Sequence, residues 1–374
     1  TIAFTKGHGE PQPVESRDLI TTLAPFYDLK WIDLDSMYQV PEDIKLIIMA
    51  NPSKPYSEKA KFVLDQYIMN GGNTMFLINR LKVDMDSFRN AKAEFVPIEN
   101  DVNLEDMFFK YGFRIEPNLV LDLECSKIPL VVGKLGTGVQ TDLFNWYYAP
   151  LLSGTGQHPI VKNIDRVNAY WTSTVDTVKT KTSILKTKLL QSSQHSRLQY
   201  APMRINFEIL RYDPDPSKFD KPYQPISWLL EGSFSSLYEN RVSPEMMDGL
   251  KQIKVNYLAT GKPTKMFVMS YGKLINNIYN PENNDFMPMG YNTFEKHLYG
   301  NKDFVINTIE YMFDENGILS ARAKEVKLRL LDNVKIKDEK TYWQLLNVLT
   351  PLILLGGGTI IFNYIRKRRF AGKA

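Results

Sequence analysis

The sequence predicts an α/β protein in which helices cover both faces of a parallel sheet, extended by antiparallel strands and followed by one C-terminal transmembrane helix. Short apolar strands alternate with amphipathic helices in the first third of the chain, which is typical of such a sheet. From about residue 176 polar and apolar residues alternate instead, as in antiparallel strands that face solvent on one side. The chain ends in a nearly uncharged apolar run that is long enough for a membrane helix.

The predicted elements of the first third follow from capping residues and apolar spacing. Ser16 and Ser57 are candidate N-caps, because a serine hydroxyl can accept from the first free amides of a helix. Asn70-Gly71-Gly72 ends the second helix, since glycine adopts the left-handed C-terminal conformation. The buried face of the first helix is predicted to carry Leu19, Ile20, Leu23, Phe26 and Tyr27. The strands between these helices are predicted at Ile2–Thr5, Leu29–Leu34, Leu46–Ala50 and Thr74–Asn79.

The rest of the soluble part is predicted to mix helices with antiparallel strands. Helices are expected over Asn103–Lys110, ended by Gly112, over Asn301–Phe313 and over the charged stretch Ile318–Asn333. Lys179–Leu190 alternates as an exposed antiparallel strand does, and Pro202–Pro225 is rich in proline. Further strands are expected at Leu119–Leu123, Ile128–Val132, Ile226–Leu230 and Lys265–Ser270.

These patterns predict four consecutive parts. Residues 1–333 form an α/β domain outside the cytoplasm, with a core of about 1–175 and 226–316 and an antiparallel, proline-rich insertion of about 176–225. Residues 334–344 form a juxtamembrane linker, 345–365 the transmembrane helix and 366–374 a basic cytoplasmic tail. Because the chain opens at Thr1 within an apolar strand, we expect a further segment upstream.

Composition limits the function classes. The 374 residues are 43% hydrophobic with a net charge of +4, which indicates a mostly folded soluble body and no basic surface for nucleic acid. Cys125 is the only cysteine, which excludes an intramolecular disulfide and a cysteine-based zinc cluster. Asn-x-Ser/Thr sequons without proline are absent, and together with the missing disulfides this favours a bacterial source.

The orientation of the predicted membrane helix follows from its ends. At about 1.5 Å per residue, Leu345–Ile365 spans roughly the 30 Å hydrocarbon core of a bilayer. Tyr342 and Trp343 precede it, where aromatic rings favour the headgroup region. The basic cluster that follows it, Arg366, Lys367, Arg368 and Arg369, is cytoplasmic by the positive-inside rule. The large domain is therefore predicted to lie outside the cytoplasm.

One face of this helix is polar or small. Gln344, Asn347, Pro351 and Gly358 fall within a narrow arc when turned at about 100° per residue. Since lipid penalises unpaired amides and small residues let helices approach closely, this face predicts contact with another helix. The alternative is a plain anchor in which Gly356–Gly358 is only a weak or bent segment. Self-association through paired glycines is not expected, because no glycine pair is spaced four apart.

The best candidate ligand site is the loop that leaves the first strand. Lys6, His8 and Glu10 lie there, where open α/β sheets bind ligands, and they supply an acid and a base. The alternative interpretation is a tight glycine turn with solvated polar side chains. The glycine-rich stretch Gly133–Gly138 lacks the Gly-Lys-Ser/Thr ending of a phosphate loop, so any ATP hydrolysis must come from another polypeptide.

No catalytic or metal pattern is evident. A Gly-x-Ser-x-Gly elbow is absent, and His195 beside Ser193 and Ser196 is interpreted as polar surface. Cys125 is interpreted as a small buried residue, and the four histidines, at 8, 158, 195 and 297, lack metal-ligand spacing. The aromatic residues Phe144, Trp146, Tyr147 and Tyr148 are expected in a loop that either packs on the body or contacts a partner or glycan.

Four segments in order resemble the auxiliary family of ABC transporters, and within it the gliding-motility members of Bacteroidetes. They are Ile2–Glu10, Tyr67–Gly72 leading into Thr74–Asn79, His158-Pro159-Ile160 with Ser183-Ile184-Leu185, and Leu230–Phe234. The resemblance covers nearly the whole chain. It implies a flavodoxin-like core similar to class I glutamine amidotransferases, whose nucleophilic cysteine would fall near Asn79-Arg80. No cysteine is there, so the resemblance implies a protein that is not an enzyme.

The implied role is that of an accessory subunit in the bacterial inner membrane, without a cofactor. Its implied partners are an ABC permease, a separate cytoplasmic ATPase and further periplasmic motility or secretion components. Two other classes remain open. A periplasmic subunit that binds a saccharide or peptide would use Lys6, His8 and Glu10, and a hydrolase of the same fold would need a nucleophile that the sequence does not offer.

Overall fold

The computed structural model of the chain describes residues 1–88, 93–135, 138–252, 255–280, 282–283, 285–314 and 340–370. It divides into two compact units, residues 1–323 and residues 324–374. The predicted helix Ile318–Asn333 lies outside the described residues, as do 334–339 of the predicted linker and the last four residues of the predicted tail.

The described elements are 22 strands and six α-helices. The helices are α1 (Arg17–Leu23), α2 (Glu58–Met69), α3 (Glu105–Tyr111), α4 (Pro244–Gln252), α5 (Asn301–Phe313) and α6 (Lys340–Phe370). The strands are β1 (Ile2–Thr5), β2 (Leu29–Ile32), β3 (Leu46–Ala50), β4 (Asn73–Leu77), β5 (Leu81–Lys82), β6 (Glu94–Phe95), β7 (Ile98–Glu99), β8 (Phe113–Ile115), β9 (Asn118–Asp122), β10 (Cys125–Leu135), β11 (Gly138–Gly154), β12 (Val167–Asn168), β13 (Val175–Thr177), β14 (Ile184–Gln191), β15 (Ser196–Tyr200), β16 (Ile205–Asn206), β17 (Pro225–Ser235), β18 (Thr260–Met269), β19 (Tyr279–Asn280), β20 (Asp285–Phe286), β21 (Tyr291–Asn292) and β22 (His297–Leu298).

One ten-stranded mixed sheet organises the first unit. Its strand order is β10-β11-β14-β17-β18-β4-β3-β1-β2, with β12 paired to β11. The half from β18 to β2 is parallel, and the half from β10 to β18 is antiparallel. The prediction of a parallel sheet with an antiparallel extension is confirmed at the level of these two halves. Antiparallel pairing already begins at Cys125, earlier than the change of pattern near residue 176.

Helices cover both faces of the parallel half, as predicted. Along β3, Ile47 and Met49 face the core that α2 and α3 complete, whereas Leu46, Ile48 and Ala50 face the core shared with α1 and α5. Such unbroken apolar strands are expected where both faces of a sheet are buried. Because these strands are parallel, the carboxyl ends of β1, β3, β4 and β18 lie together at the same end of the sheet.

Local sequence signals fix several helix ends. The Ser57 hydroxyl accepts from the Ala60 amide at 3.1 Å and caps α2, which confirms that prediction. Gly112 ends α3 with φ +98°, a left-handed conformation in which glycine has no Cβ penalty. Helix α5 spans the predicted residues. Ser16, in contrast, makes no side-chain cap bond to α1.

A third apolar core lies under β9, β10 and β11. Trp146 is fully buried there and packs edge-on against Phe88 and Trp171, with ring centroids 5.8 and 5.6 Å apart. The prediction of a loop over residues 144–148 is wrong, because these residues belong to β11. Their predicted packing on the body is confirmed for Trp146, Tyr147 and Tyr148, which are buried. Burial of such large rings removes much apolar surface from water and stabilises the fold.

One other local prediction is wrong, and one is confirmed. Phe26 is 79% exposed rather than on the buried face of α1, since the helix ends at Leu23 and the chain turns before that residue. His195 is exposed, which confirms its interpretation as polar surface, whereas the neighbouring Ser193 and Ser196 are buried. The Ser193 side chain donates to the buried Asp122 carboxylate at 2.5 Å, and this bond explains its burial.

Helix α6 forms the described part of the second unit. It extends the predicted span Leu345–Ile365 at both ends, includes Arg366, and carries Lys367, Arg368 and Arg369 in its last turn. Lys340–Arg369 is long and apolar enough to cross a membrane. The helix continues through Pro351 and through Gly356–Gly358.

Candidate functional site

The predicted ligand loop lies where the strand order reverses, between β1 and β3. In open α/β sheets this switch point is the usual ligand crevice. Here the loops after the two strands meet, because the Ser53 and Lys54 amides both donate to the His8 carbonyl oxygen, at 2.8 and 2.9 Å. The structure turns His8 and Glu10 inward, whereas the Lys6 side chain is exposed and does not join them.

His8 is held on three sides. Its ring stacks on Tyr56 with the centroids 3.7 Å apart, and its Nε2 lies 3.0 Å from an Asp35 carboxylate oxygen. Its backbone amide donates to Glu10 Oε2 at 2.7 Å, and the Tyr56 hydroxyl donates to Glu10 Oε1 at 2.9 Å. Burial, followed by the negative charge of Glu10, raises the pKa of Tyr56 well above its usual value, so the hydroxyl stays protonated and donates.

Little space remains beside this cluster. The cavity next to Thr5 and Glu10 has a volume of about 20 Å³, which holds at most a water molecule. The polar groups of the loop therefore bond mainly to each other in this structure.

A much larger cleft of about 480 Å³ opens at the carboxyl ends of the neighbouring strands β4 and β18. Asn79 follows β4 and Tyr271 follows β18, and both line it. This is the position and size expected of a small-ligand site in an α/β fold. This cleft was not predicted from the sequence.

Aromatic and amide side chains dominate the lining. The rings are Tyr170, Trp171, Tyr271, Tyr291 and Phe294, and the amides are Asn79, Asn168, Asn276, Asn277, Asn292 and Asn301. The only sequence signal is the accumulation of six asparagines and three tyrosines between Tyr271 and Asn292. Because other parts of the lining, such as Asn79, Ile128 and Tyr170, lie far away in the sequence, this signal alone does not define a cleft.

Some of these amides build the cleft. Asn301 accepts from the Asn168 amide at 2.9 Å and donates to the Asn168 carbonyl oxygen at 2.7 Å. Asn79 accepts from the Gly272 amide at 2.7 Å and thereby joins the ends of β4 and β18.

Other amide atoms in the lining residues are buried without a hydrogen-bond partner in the described part of the chain. They are Asn168 Oδ1, Asn276 Oδ1 and Asn277 Nδ2. Asn168 is only 6% exposed. A buried unpaired polar atom is costly, so three of them among the residues of one cleft call for an explanation.

The charged groups of the cleft neutralise each other. Lys273 donates a short hydrogen bond to Asp84. Burial raises the pKa of Asp84, but the hydrogen bond and charge of Lys273 together with the backbone amides of Asp86 and Met85 outweigh it, so that the pKa lies below its usual value. The pair leaves no net charge for a ligand to meet.

Neither the expected nucleophile position nor the single cysteine offers an activated thiol. The turn after β4, where the amidotransferase-like resemblance would place a cysteine, carries Asn79 and Arg80. Burial raises the pKa of Cys125 to about 12, so this thiol is not an activated nucleophile. Among the described residues, no group of three or more His, Cys, Asp or Glu side chains is placed to hold a metal ion.

The predicted partner face of α6 lies on a continuous helix. Gln344, Asn347, Pro351 and Gly358 share one arc of it and are exposed. Because Pro351 has no amide hydrogen, the carbonyl oxygen of Asn347, four residues earlier, lacks its donor within the helix. The same face thus carries two side-chain amides and one unpaired backbone carbonyl.

The mixed α/β unit and the apolar helix together fit a protein anchored in a membrane. The chain belongs to the auxiliary family of ABC-type transport systems, since the family model described as "ABC-type uncharacterized transport system" matches residues 1–308. The family resemblance seen in the sequence is thereby confirmed. Membership indicates an auxiliary component of such a system and suggests a role other than catalysis.

No curated protein matches the chain. Among solved structures, the chain described as "mmIFT52 N-terminal domain" is similar at 12% identity and a TM-score of 0.46, over 84% of this chain and 99% of that one. A likeness at this level supports no conclusion about function.

Proposed function

We propose that this protein is a non-catalytic, membrane-anchored accessory subunit that docks on the permease of an ABC-type transporter and presents its α/β unit to further components. The observation that carries the proposal is the polar face on the apolar helix α6. Family membership supplies the transport system.

The docking role rests on the cost of unpaired polar groups in lipid. An exposed amide or carbonyl in the hydrocarbon core is penalised, because no water is there to bond it. Gln344, Asn347 and the Asn347 carbonyl oxygen face one direction, and Gly358 on the same face permits close approach. A neighbouring helix with donors and acceptors removes this penalty, and a permease is the partner that the family implies.

The orientation rests on charge. Arg366, Lys367, Arg368 and Arg369 follow the apolar span, so the positive-inside rule places this end in the cytoplasm. The α/β unit then lies in the periplasm of a bacterium, and the ATPase is a separate cytoplasmic chain that contacts the permease. The link to gliding motility rests on the resemblance of the sequence to the motility members of the family.

We also propose that the parallel half is flavodoxin-like. Its order β2-β1-β3-β4-β18 corresponds to the order 2-1-3-4-5 of that fold class, with helices on both faces. This likeness concerns architecture and carries no activity with it.

The test replaces Gln344 and Asn347 together with leucine and measures how much permease is recovered with the tagged chain from membranes. Loss of the two amides is expected to reduce recovery at least severalfold. The matched control is Leu349→Ala with Ile353→Ala, which changes the opposite face of the same helix and is expected to leave recovery intact. Equal recovery from both double variants would refute docking through this face.

A further inference from the structure

We propose that the cleft between the ends of β4 and β18 binds an extended, uncharged peptide segment with an apolar side chain. This inference does not depend on the partner of α6, because every residue in it belongs to the first unit.

The lining selects against charge and for an apolar group. Asp84 and Lys273 bond each other, so an ionic ligand group finds no free counter-charge among the described lining residues. Val83, Ile128, Pro129 and Ile278 line the same cleft as the aromatic rings. Such walls suit an aliphatic or aromatic side chain, which they remove from water.

The unpaired amide atoms suit a peptide backbone. A peptide group offers one N–H donor and one C=O acceptor. The cleft residues have unpaired acceptors at Asn168 Oδ1 and Asn276 Oδ1 and an unpaired donor at Asn277 Nδ2. A peptide that shifts the side chains covering these buried atoms can match both kinds of group, which lowers the cost that the atoms carry in the free protein.

The cleft also borders the edge of the sheet. Strand β10 is the terminal strand of the ten-stranded sheet, and its residues Ile128 and Pro129 line the cleft. Proline is tolerated in an edge strand, whose outer side has no ladder to complete. Further along β10, Val131 is 66% exposed. An extended peptide can lie along such an edge and place a side chain in the adjoining pocket.

The experiment measures which members of a mixture of N-acetylated, C-amidated pentapeptides of uncharged residues are retained by the purified full chain, using mass spectrometry. Neutral trisaccharides are run in parallel. Ile278→Trp fills the cleft from an exposed lining position, and Ile98→Trp makes the same change at an exposed position outside it. Retention of peptides with an apolar residue is expected for the native chain and Ile98→Trp, and its loss for Ile278→Trp.

Asn276→Leu tests the proposed contact with the peptide backbone separately from folding. The Oδ1 atom of Asn276 has no partner among the described residues, so its removal is expected to leave the melting temperature of the protein unchanged or higher. Affinity for a retained peptide is expected to fall about tenfold, the value of one hydrogen bond to a buried group. The proposal is overturned if no peptide is retained, or if the native chain and all variants retain peptides equally. It is also overturned if only trisaccharides are retained and Ile278→Trp abolishes their retention.

Discussion

The buried Asp65 carboxylate accepts four hydrogen bonds in the interior of the first unit. It accepts from the Tyr111 hydroxyl and the Leu237 amide, both at 2.8 Å, from the Ser236 hydroxyl at 2.7 Å and from Gln66 Nε2 at 2.9 Å. It thereby joins α2 to the start of the segment after β17. Burial nevertheless outweighs these four donors and raises the pKa of Asp65 above its ordinary value of 3.8.

This raised pKa predicts a specific pH dependence. Because the folded protein holds the proton more tightly than the unfolded chain, the stabilising contribution is complete below pH 3.8 and is lost as pH rises through the folded pKa. Asp65→Asn stays neutral, so the melting temperature of the native chain relative to this variant is expected to be higher at pH 4 than at pH 7. Asp220→Asn, at an exposed aspartate, is the matched control. If the melting temperature of the native chain relative to Asp65→Asn instead rose from pH 4 to pH 7, the four hydrogen bonds would outweigh burial in setting the pKa of Asp65.

The His8 cluster predicts a structural effect for a residue that the sequence nominated for ligand binding. His8→Ala removes the stacking on Tyr56 and the contact with Asp35, and is expected to destabilise the fold by about 2 kcal/mol. Lys6→Ala, in the same loop but exposed, is expected to change stability by less than about 0.5 kcal/mol. Thermal unfolding of both variants measures the contrast. Equal melting temperatures would mean that the cluster does not hold the loop.

At the scale of elements, two glycines predict opposite effects of the same substitution. Gly112 ends α3 at φ +98°, and an added Cβ would lie 2.4 Å from Thr180 Cγ2. Gly112→Ala is therefore expected to cost more than about 1 kcal/mol. Gly249 lies inside α4 with open space around it, so Gly249→Ala is expected to stabilise by about 0.5 to 1 kcal/mol. Chemical unfolding of the two variants tests both signs, and a stabilising Gly112→Ala would contradict the assigned helix end.

The elements that the sequence predicted are those with local signals. Strand β1, helix α5, the Ser57 cap and the Gly112 end each follow from a few neighbouring residues. Strand β11 was missed because its register and the burial of Trp146 depend on β10 and on rings such as Phe88 and Trp171. The cleft was missed for the same reason, since Asn79, Asn168 and Asn276 come together only through tertiary contacts.

The candidate ligand loop illustrates what pattern alone does not decide. The position of His8 and Glu10 after the first strand was predicted, but not that Tyr56 and Asp35 would bond them inward. Tyr56 precedes α2 and Asp35 follows β2, so their meeting depends on the packing of three strands and a helix. Side-chain type and spacing gave the location, and only the fold supplied the bonding partners.

At the scale of the whole molecule, the proposed orientation can be tested with single thiols. Lys340→Cys and Arg369→Cys place one thiol at either end of α6. Cys125 is an internal control, because it is buried and its pKa is raised to about 12. In spheroplasts a membrane-impermeant maleimide is expected to label the thiol at position 340 and to reach position 369 only after lysis. The reverse pattern would place the α/β unit in the cytoplasm.

We propose that the chain works as an accessory subunit of an ABC-type transporter through its membrane helix. The composition and structure of the complex purified from membranes through a tag on this chain test this role. We expect recovery of a permease and an ATPase, with Gln344 and Asn347 of α6 against a permease helix. Recovery of the chain alone, from a preparation in which other ABC complexes stay intact, would contradict it.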